Sequence, residues 1–134
     1  YLYIRNFKPE RWPAGDPDEY QDIDGCPTKT YLLEHRGEHE RLFELAVGKR
    51  PGEELFDVRK DPDCLNNLAG DEAHAATLEQ LRDTLDRLLK EQGDPRVLGT
   101  GDIFESYPRV SHMRPELGGF AERGEYNPKY QPKD

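Results

Sequence analysis

Glu53-Glu54-Leu55-Phe56-Asp57-Val58-Arg59-Lys60-Asp61-Pro62-Asp63, followed two residues later by Asn66-Asn67-Leu68-Ala69, is the stretch on which the fold turns. Residues 53–58 read as a strand, with Glu54, Phe56 and Val58 on one face and Leu55 and Asp57 on the other. Lys60-Asp61-Pro62-Asp63 reads as a turn, because proline fixes φ and an aspartate can bond nearby amides. Asn66 to Gly70 then leads into a helix over residues 72–92. Leu78, Leu81, Leu85 and Leu88 make one helical stripe there, widened by Ala75 and Leu89. Asp71 suits the N-cap and Gly93 the position after the C-cap. Asp83 to Arg87 and Asp86 to Lys90 are spaced as favourable pairs. The stripe needs a surface to pack on, and a small sheet is the natural one.

The second strand of that sheet is Tyr1-Leu2-Tyr3-Ile4-Arg5-Asn6-Phe7, rich in aromatic and branched residues. A strand at the first residue suggests a piece cut or processed from a longer chain. Between the strands, residues 8–29 read as a loop broken by Pro9, Pro13, Gly15, Pro17, Gly25 and Pro27. Residues 30–47 are ambiguous. Leu42, Phe43, Leu45 and Ala46 fit a short helix ending at Gly48, Tyr31-Leu32-Leu33 fits a short strand or a helical turn, and Gly37 opposes one continuous helix. Residues 94–134 show no sustained period, yet hold Phe104, Tyr107, Phe120, Tyr126 and Tyr130, which favours a tail lying along a surface. The expected fold class is α+β: a small antiparallel sheet packed by one amphipathic helix within residues 1–98, then an irregular wrapping tail over 99–134.

Composition narrows the function. The chain has 134 residues, of which 28 are acidic and 19 basic, for a net charge of −9. That balance argues against nucleic acid or an anionic membrane as partner. Apolar residues make up 34%, below the roughly 45–50% of an ordinary domain, so the core must be small. No run approaches the roughly 20 apolar residues of a membrane span, and no targeting segment is visible.

Few residues offer chemistry. Cys26 and Cys64 are a disulfide if the protein is exported and two unpaired thiols otherwise; neither has zinc spacing. His35 and His39 are four apart, but Gly37 lies between them and a solvated stretch is the simpler reading; His74 and His112 are isolated. Asp16, Asp18, Asp22 and Asp24 depart from a calcium loop because Tyr20 and Gln21 fill the next ligand positions. Arg5, Lys8 and Arg11 beside Phe7 and Trp12 form the one basic and aromatic patch. Cations next to flat rings suit a sugar bearing sulfate or carboxylate, while a strand end with solvated cations is the plainer reading. If any residues here touch a substrate, the candidates are Lys8, Arg11 and Trp12. No nucleophilic triad, phosphate loop or dinucleotide fingerprint appears, and no catalytic or metal-binding residue is assigned.

The segment from Glu54 to Asp63 with Asn66 to Ala69 resembles the E-L-Y-D-L-x-x-D-P-x-E-x-x-N-L-A segment near the C-terminus of sulfatases. Tyr1-Leu2-Tyr3-Ile4 resembles an earlier strand of the same subdomain. Asn6-Phe7-Lys8-Pro9 and Gly93-Asp94-Pro95-Arg96-Val97 resemble the heparan N-sulfatase (sulfamidase) branch. Phe56 stands where tyrosine is usual, and Cys64 where glutamate is common. The resemblance covers residues 1–98. It implies the C-terminal part of a hydrolase acting on a sulfate ester or sulfamate, with a carbohydrate as substrate. Its partner would be an N-terminal catalytic domain of the same polypeptide, exported as the family mostly is.

Sulfatases use a formylglycine made from Cys or Ser in Cys/Ser-x-Pro-x-Arg, and a calcium ion that neutralises the sulfate. Both are implied for the catalytic domain and neither is found in this chain. Ser106-Tyr107-Pro108-Arg109 is a decoy, since its arginine comes one residue early and Val110 takes the arginine position. The isolated chain is thus expected to be inactive. The alternative is a non-catalytic carbohydrate- or protein-binding module derived from a sulfatase.

Overall fold

A computed structural model of the chain describes residues 1–15, 17 and 19–106, with the side chains of residues 105 and 106 excepted. The tail expected beyond residue 106, including Tyr107, His112 and most of the decoy motif, lies outside the described residues. Among the described residues, two strands, three α-helices and two 3₁₀ turns follow in order, so the class is α+β as expected, with two short helices in addition to the long one. The chain divides into two compact units, Tyr1–Arg82 and a second beginning at Asp83.

Strands β1 (Leu2–Arg5) and β2 (Glu53–Phe56) pair antiparallel, with Leu2 opposite Phe56 and Arg5 opposite Glu53. The pairing is continued by Asn6, whose backbone N–H donates to the Gly52 carbonyl at 2.9 Å. The strand's two faces do not divide into wet and dry. Leu55 and Phe56 point oppositely yet are both buried, so both sides of this end of β2 are covered.

The residues after β2 carry out what their chemistry predicts. Asp61 accepts from the backbone N–H groups of Leu65 (3.1 Å) and Asn66 (2.8 Å), closing the turn. Those two bonds, in that order, hold its carboxyl below the usual range. Asn67 behaves as a substitute strand. Its Oδ1 accepts from the Leu55 N–H at 2.9 Å and from the Ala69 N–H at 3.0 Å, and its Nδ2 donates to the Glu53 carbonyl at 3.2 Å. The Leu68 N–H donates to the Leu55 carbonyl at 2.8 Å.

The long helix is as the leucine spacing predicts. A 3₁₀ turn at Glu72–His74, capped by the Asp71 side chain on the Ala73 N–H (2.9 Å), runs into α3 (Ala75–Glu91). At the other end Gly93 takes φ +71°. The Asp94 N–H reaches the Leu89 carbonyl at 2.9 Å and the Gly93 N–H reaches Lys90 at 3.1 Å. These two bonds make the double-bonded glycine stop that satisfies a helix's last carbonyls. Arg87 pairs forward with Glu91 at 2.9 Å rather than back with Asp83. Within Tyr1–Arg82, α3 is tied to the sheet by Arg82. Its Nε and Nη2 grip both carboxylate oxygens of Glu53 at 2.6 and 2.8 Å, while the Tyr3 hydroxyl donates to Glu53 at 2.5 Å. The hydrogen bond from Arg82 is the main reason that the Glu53 carboxyl falls from the usual 4.5 to about 2.

The largest buried cluster lies elsewhere than between sheet and helix. Helices α1 (Pro27–Glu34) and α2 (Glu40–Val47) resolve the ambiguous region 30–47, separated at Gly37 as expected. Phe43 and Val47 of α2 pack with Ala14 and Tyr20, and Trp12, Ile23 and Leu33 flank them. The segment read as a plain loop therefore supplies half of that core. It is folded back by bonds of Asp22 N–H to the Ala14 carbonyl (3.2 Å) and Ile23 N–H to Tyr20 (3.1 Å). The Lys29 ammonium, half-buried, donates to the carbonyls of Tyr20 (2.9 Å) and Ile23 (2.8 Å), fastening the loop to α1.

Candidate functional site

Lys8, Arg11 and Trp12 lie on the segment leaving β1. The Arg11 N–H donates to the Lys8 carbonyl at 3.0 Å, closing a four-residue turn that brings the backbones of Lys8 and Arg11 together. A second turn follows, with the Gly15 N–H on the Trp12 carbonyl at 3.3 Å. Gly15 sits at φ +89°, and a Cβ there would approach the Asp22 and Gln21 amide nitrogens to 3.2 Å, so glycine is needed at this crossing. The three predicted residues thus sit on one tightly folded stretch. Lys8 is exposed, whereas Arg11 and Trp12 are half-buried.

Trp12 is held by ring contacts. Its centroid lies 5.9 Å from that of Tyr20 at 72°, and Tyr20 meets Phe43 at 5.9 Å and 77°. Both are edge-to-face geometries favoured by the ring quadrupoles. A file of three rings connects the patch to the core, which makes Trp12 a packed platform rather than a free ring. The Lys49 ammonium lies over Trp12, 5.0 Å from the ring centroid. Lys49 was not among the candidates read from sequence, and no spacing rule links it to Trp12. It arrives there because α2 ends at Val47, two residues before it. Arg5, included in the sequence patch, stays at the end of β1 with its guanidinium 5.3 Å from the Phe7 centroid.

The remaining sequence candidates resolve into structural roles. Cys26 and Cys64 are free thiols, and Cys26 accepts from the Lys29 N–H at 3.4 Å as the N-cap of α1. The His35 and Tyr31 rings stack at 4.2 Å, and the Tyr31 hydroxyl meets His39 Nε2 at 3.0 Å. Tyr31 thereby engages both histidines. His74 lies 3.0 Å from Asp71 and edge-on to Tyr1 at 5.9 Å. Asp16 and Asp18 lie outside the described residues. Among the described residues, no group of three or more His, Cys, Asp or Glu is placed to hold a metal ion. Lys49 lies over the anchored indole, and the backbone turn of residues 8–11 carries Lys8 and Arg11 just before it in the chain.

Among the described residues, no helix is long and apolar enough to cross a membrane. No protein-family model matches the chain, and no solved structure matches it. The chain is similar to an ulvan-active sulfatase of Formosa agariphila, at 32% identity over 118 residues. The alignment takes in 86% of this chain and 19% of the relative, so the chain spans about a fifth of that protein's length. This similarity supports a sulfatase-family relationship.

Proposed function

We propose that this chain is the C-terminal segment of a formylglycine-dependent sulfatase that hydrolyses a sulfate ester or sulfamate on a carbohydrate. The observation that carries the reading is similarity to a sulfatase through 86% of the chain. The segment supports the fold and presents Lys8, Arg11 and Trp12 at one rim of the substrate cleft. The nucleophile and the calcium site belong to an N-terminal catalytic domain of the same exported polypeptide, and the isolated chain is inactive. Asn6-Phe7-Lys8-Pro9 and Gly93-Asp94-Pro95-Arg96-Val97 favour the heparan N-sulfatase branch; the relative's name makes ulvan the competing substrate.

The geometry agrees with a supporting role. The residues that carry the resemblance, Asp61 and Asn67 among them, spend their polar atoms on backbone amides and carbonyls. They build the strand and its turn and leave little for a substrate.

The test begins with the native protein in its source, detected by an antibody to this chain. The expected result is a band several-fold heavier than the 15.5 kDa of these residues. That protein should contain formylglycine by mass spectrometry and should release sulfate from 4-nitrophenyl sulfate and from one of ulvan or heparan sulfate. In it, combined Lys8→Ala and Arg11→Ala should raise KM for the polymer and leave the small ester unaffected. A native band at 15.5 kDa with no sulfate release would replace the enzyme by the binding module.

A further inference from the structure

We propose that the Asp24–Gly25 bond is a site of spontaneous backbone modification, at which Asp24 rearranges to an isoaspartyl linkage. The chemistry is intrinsic to these two residues and does not depend on the activity proposed above.

Asp24–Gly25 is the single Asp–Gly pair of the sequence, and no Asn–Gly pair occurs. Both residues are exposed and lie outside the helices and strands. A Cβ built on Gly25 would have nothing within 4 Å. Glycine puts no side chain beside its own nitrogen and lets the peptide rotate. Among the described residues, the Gly25 N–H makes no hydrogen bond. Its nitrogen can therefore approach the Asp24 side-chain carboxyl, which is the geometry that ring closure needs.

Other aspartates and asparagines lack this freedom. Asp61 and Asp94 precede proline, which has no N–H. After Asp22, Asp63 and Asn67 the next amide is held in a hydrogen bond: Ile23 to the Tyr20 carbonyl at 3.1 Å, Cys64 to Asp61 at 3.1 Å, and Leu68 to Leu55 at 2.8 Å. Asp83 and Asp86 lie inside α3.

The reaction needs only water. The Gly25 nitrogen attacks the side-chain carboxyl carbon of Asp24 and forms a C–N bond. The carboxyl hydroxyl leaves with the amide proton as water, giving a five-membered succinimide. The ring then takes back one water. Opening at the side-chain carbonyl restores Asp24. Opening at the main-chain carbonyl breaks the original peptide bond, so the chain now runs through the side-chain carbon and the main-chain carbonyl becomes a free carboxylate. The mass of the chain ends unchanged.

The links on either side of the pair are anchored. Ile23 is held by its N–H on Tyr20 and by the Lys29 ammonium on its carbonyl at 2.8 Å. Cys26 caps α1, its Sγ accepting from the Lys29 N–H at 3.4 Å and its carbonyl from the Thr30 N–H at 3.0 Å. The new linkage adds one carbon–carbon bond, about 1.5 Å, between those anchors. Lys29 takes part in both, so the extra length strains either the cap or the clasp. The same ammonium holds the carbonyl of Tyr20, a buried core residue. Ageing at Asp24 thus loosens the junction of the loop with α1.

The native polypeptide that carries this chain is aged in warm buffer, denatured, and treated with an isoaspartyl methyltransferase and labelled S-adenosylmethionine. Label should accumulate with age on the tryptic peptide Trp12–Lys29, and electron-based fragmentation should place the altered linkage at Asp24. Gly25→Ala, whose Cβ meets open space, should keep the wild-type melting curve and lose most of the accumulation. Asp24→Asn should accumulate label faster than the wild type, because ammonia leaves the tetrahedral adduct more readily than water. The aged fraction should melt below the fresh protein. A peptide that stays unlabelled after ageing, or one labelled equally in Gly25→Ala, would overturn the modification site. Equal melting of aged and fresh protein would overturn the loosening of α1.

Discussion

Asn67 shows how much one side chain can hold in place. Its carboxamide serves three backbone partners: the amides of Leu55 and Ala69, and the carbonyl of Glu53. Leu55 is fully buried, so its N–H has no access to water if Asn67 is truncated. Leaving a buried donor unmade costs about 1–3 kcal/mol. Asn67→Ala should lose about that much in urea denaturation, and Asn67→Asp, which keeps an acceptor, should lose less. This role was legible only as a pattern. The sequence places an asparagine a fixed distance after an aspartate-proline turn, but nothing in that spacing says which amide the side chain will reach. Lys49 shows the same limit more sharply. Its contact with Trp12 depends on where a helix stops and on how the loop of residues 12–23 folds.

At the scale of elements, periodicity was a good guide and its absence a poor one. The leucine stripe, Asp71 and Gly93 located α3 to within a few residues, because a helix's face and its caps are local properties. Helix α1 was hidden for the opposite reason. Its N-cap is Cys26, outside the usual capping residues, and Pro27 at its first turn reads equally well as a loop signal. The tie between α3 and β2 makes a pH prediction. Glu53 in the folded chain titrates at about 2 instead of 4.5. A depressed carboxyl contributes stability that is fully present above its ordinary value and is lost as pH falls from about 4.5 toward about 2. The pair is about one-third exposed, at 36% for Arg82 and 29% for Glu53, so solvent screening reduces its worth to about 1 kcal/mol. Urea denaturation of the wild type and Glu53→Gln should differ by that much at pH 6 and converge near pH 2.

At the scale of the whole chain, the balance is thin. Among the described residues, the buried apolar set is Ala14, Tyr20, Phe43, Val47, Leu55, Phe56 and Leu78. Removing a large ring from so small a core costs about 3–5 kcal/mol, comparable with the entire stability of many small domains. Phe43→Ala should therefore unfold the 134-residue chain at room temperature, seen as loss of helical circular dichroism and a red-shifted Trp12. The sequence located this core in part. Phe43 was placed on a short helix, but its neighbours Ala14 and Tyr20 lie in a stretch of prolines, glycines and acids that carries no period. Tyr20 even adopts φ +48°, a conformation that local preference disfavours and that packing against Trp12 and Phe43 imposes. Composition revealed the small core, and only tertiary contact reveals that a loop completes it.

The sheet also has a closed side. Leu55 turns its amide and carbonyl away from β1, and Asn67 and Leu68 occupy both. That side of the two-stranded ribbon is sealed from within, so a third strand cannot extend it alongside β2. The chain thereby decides in advance which flank of its sheet is closed to a neighbour.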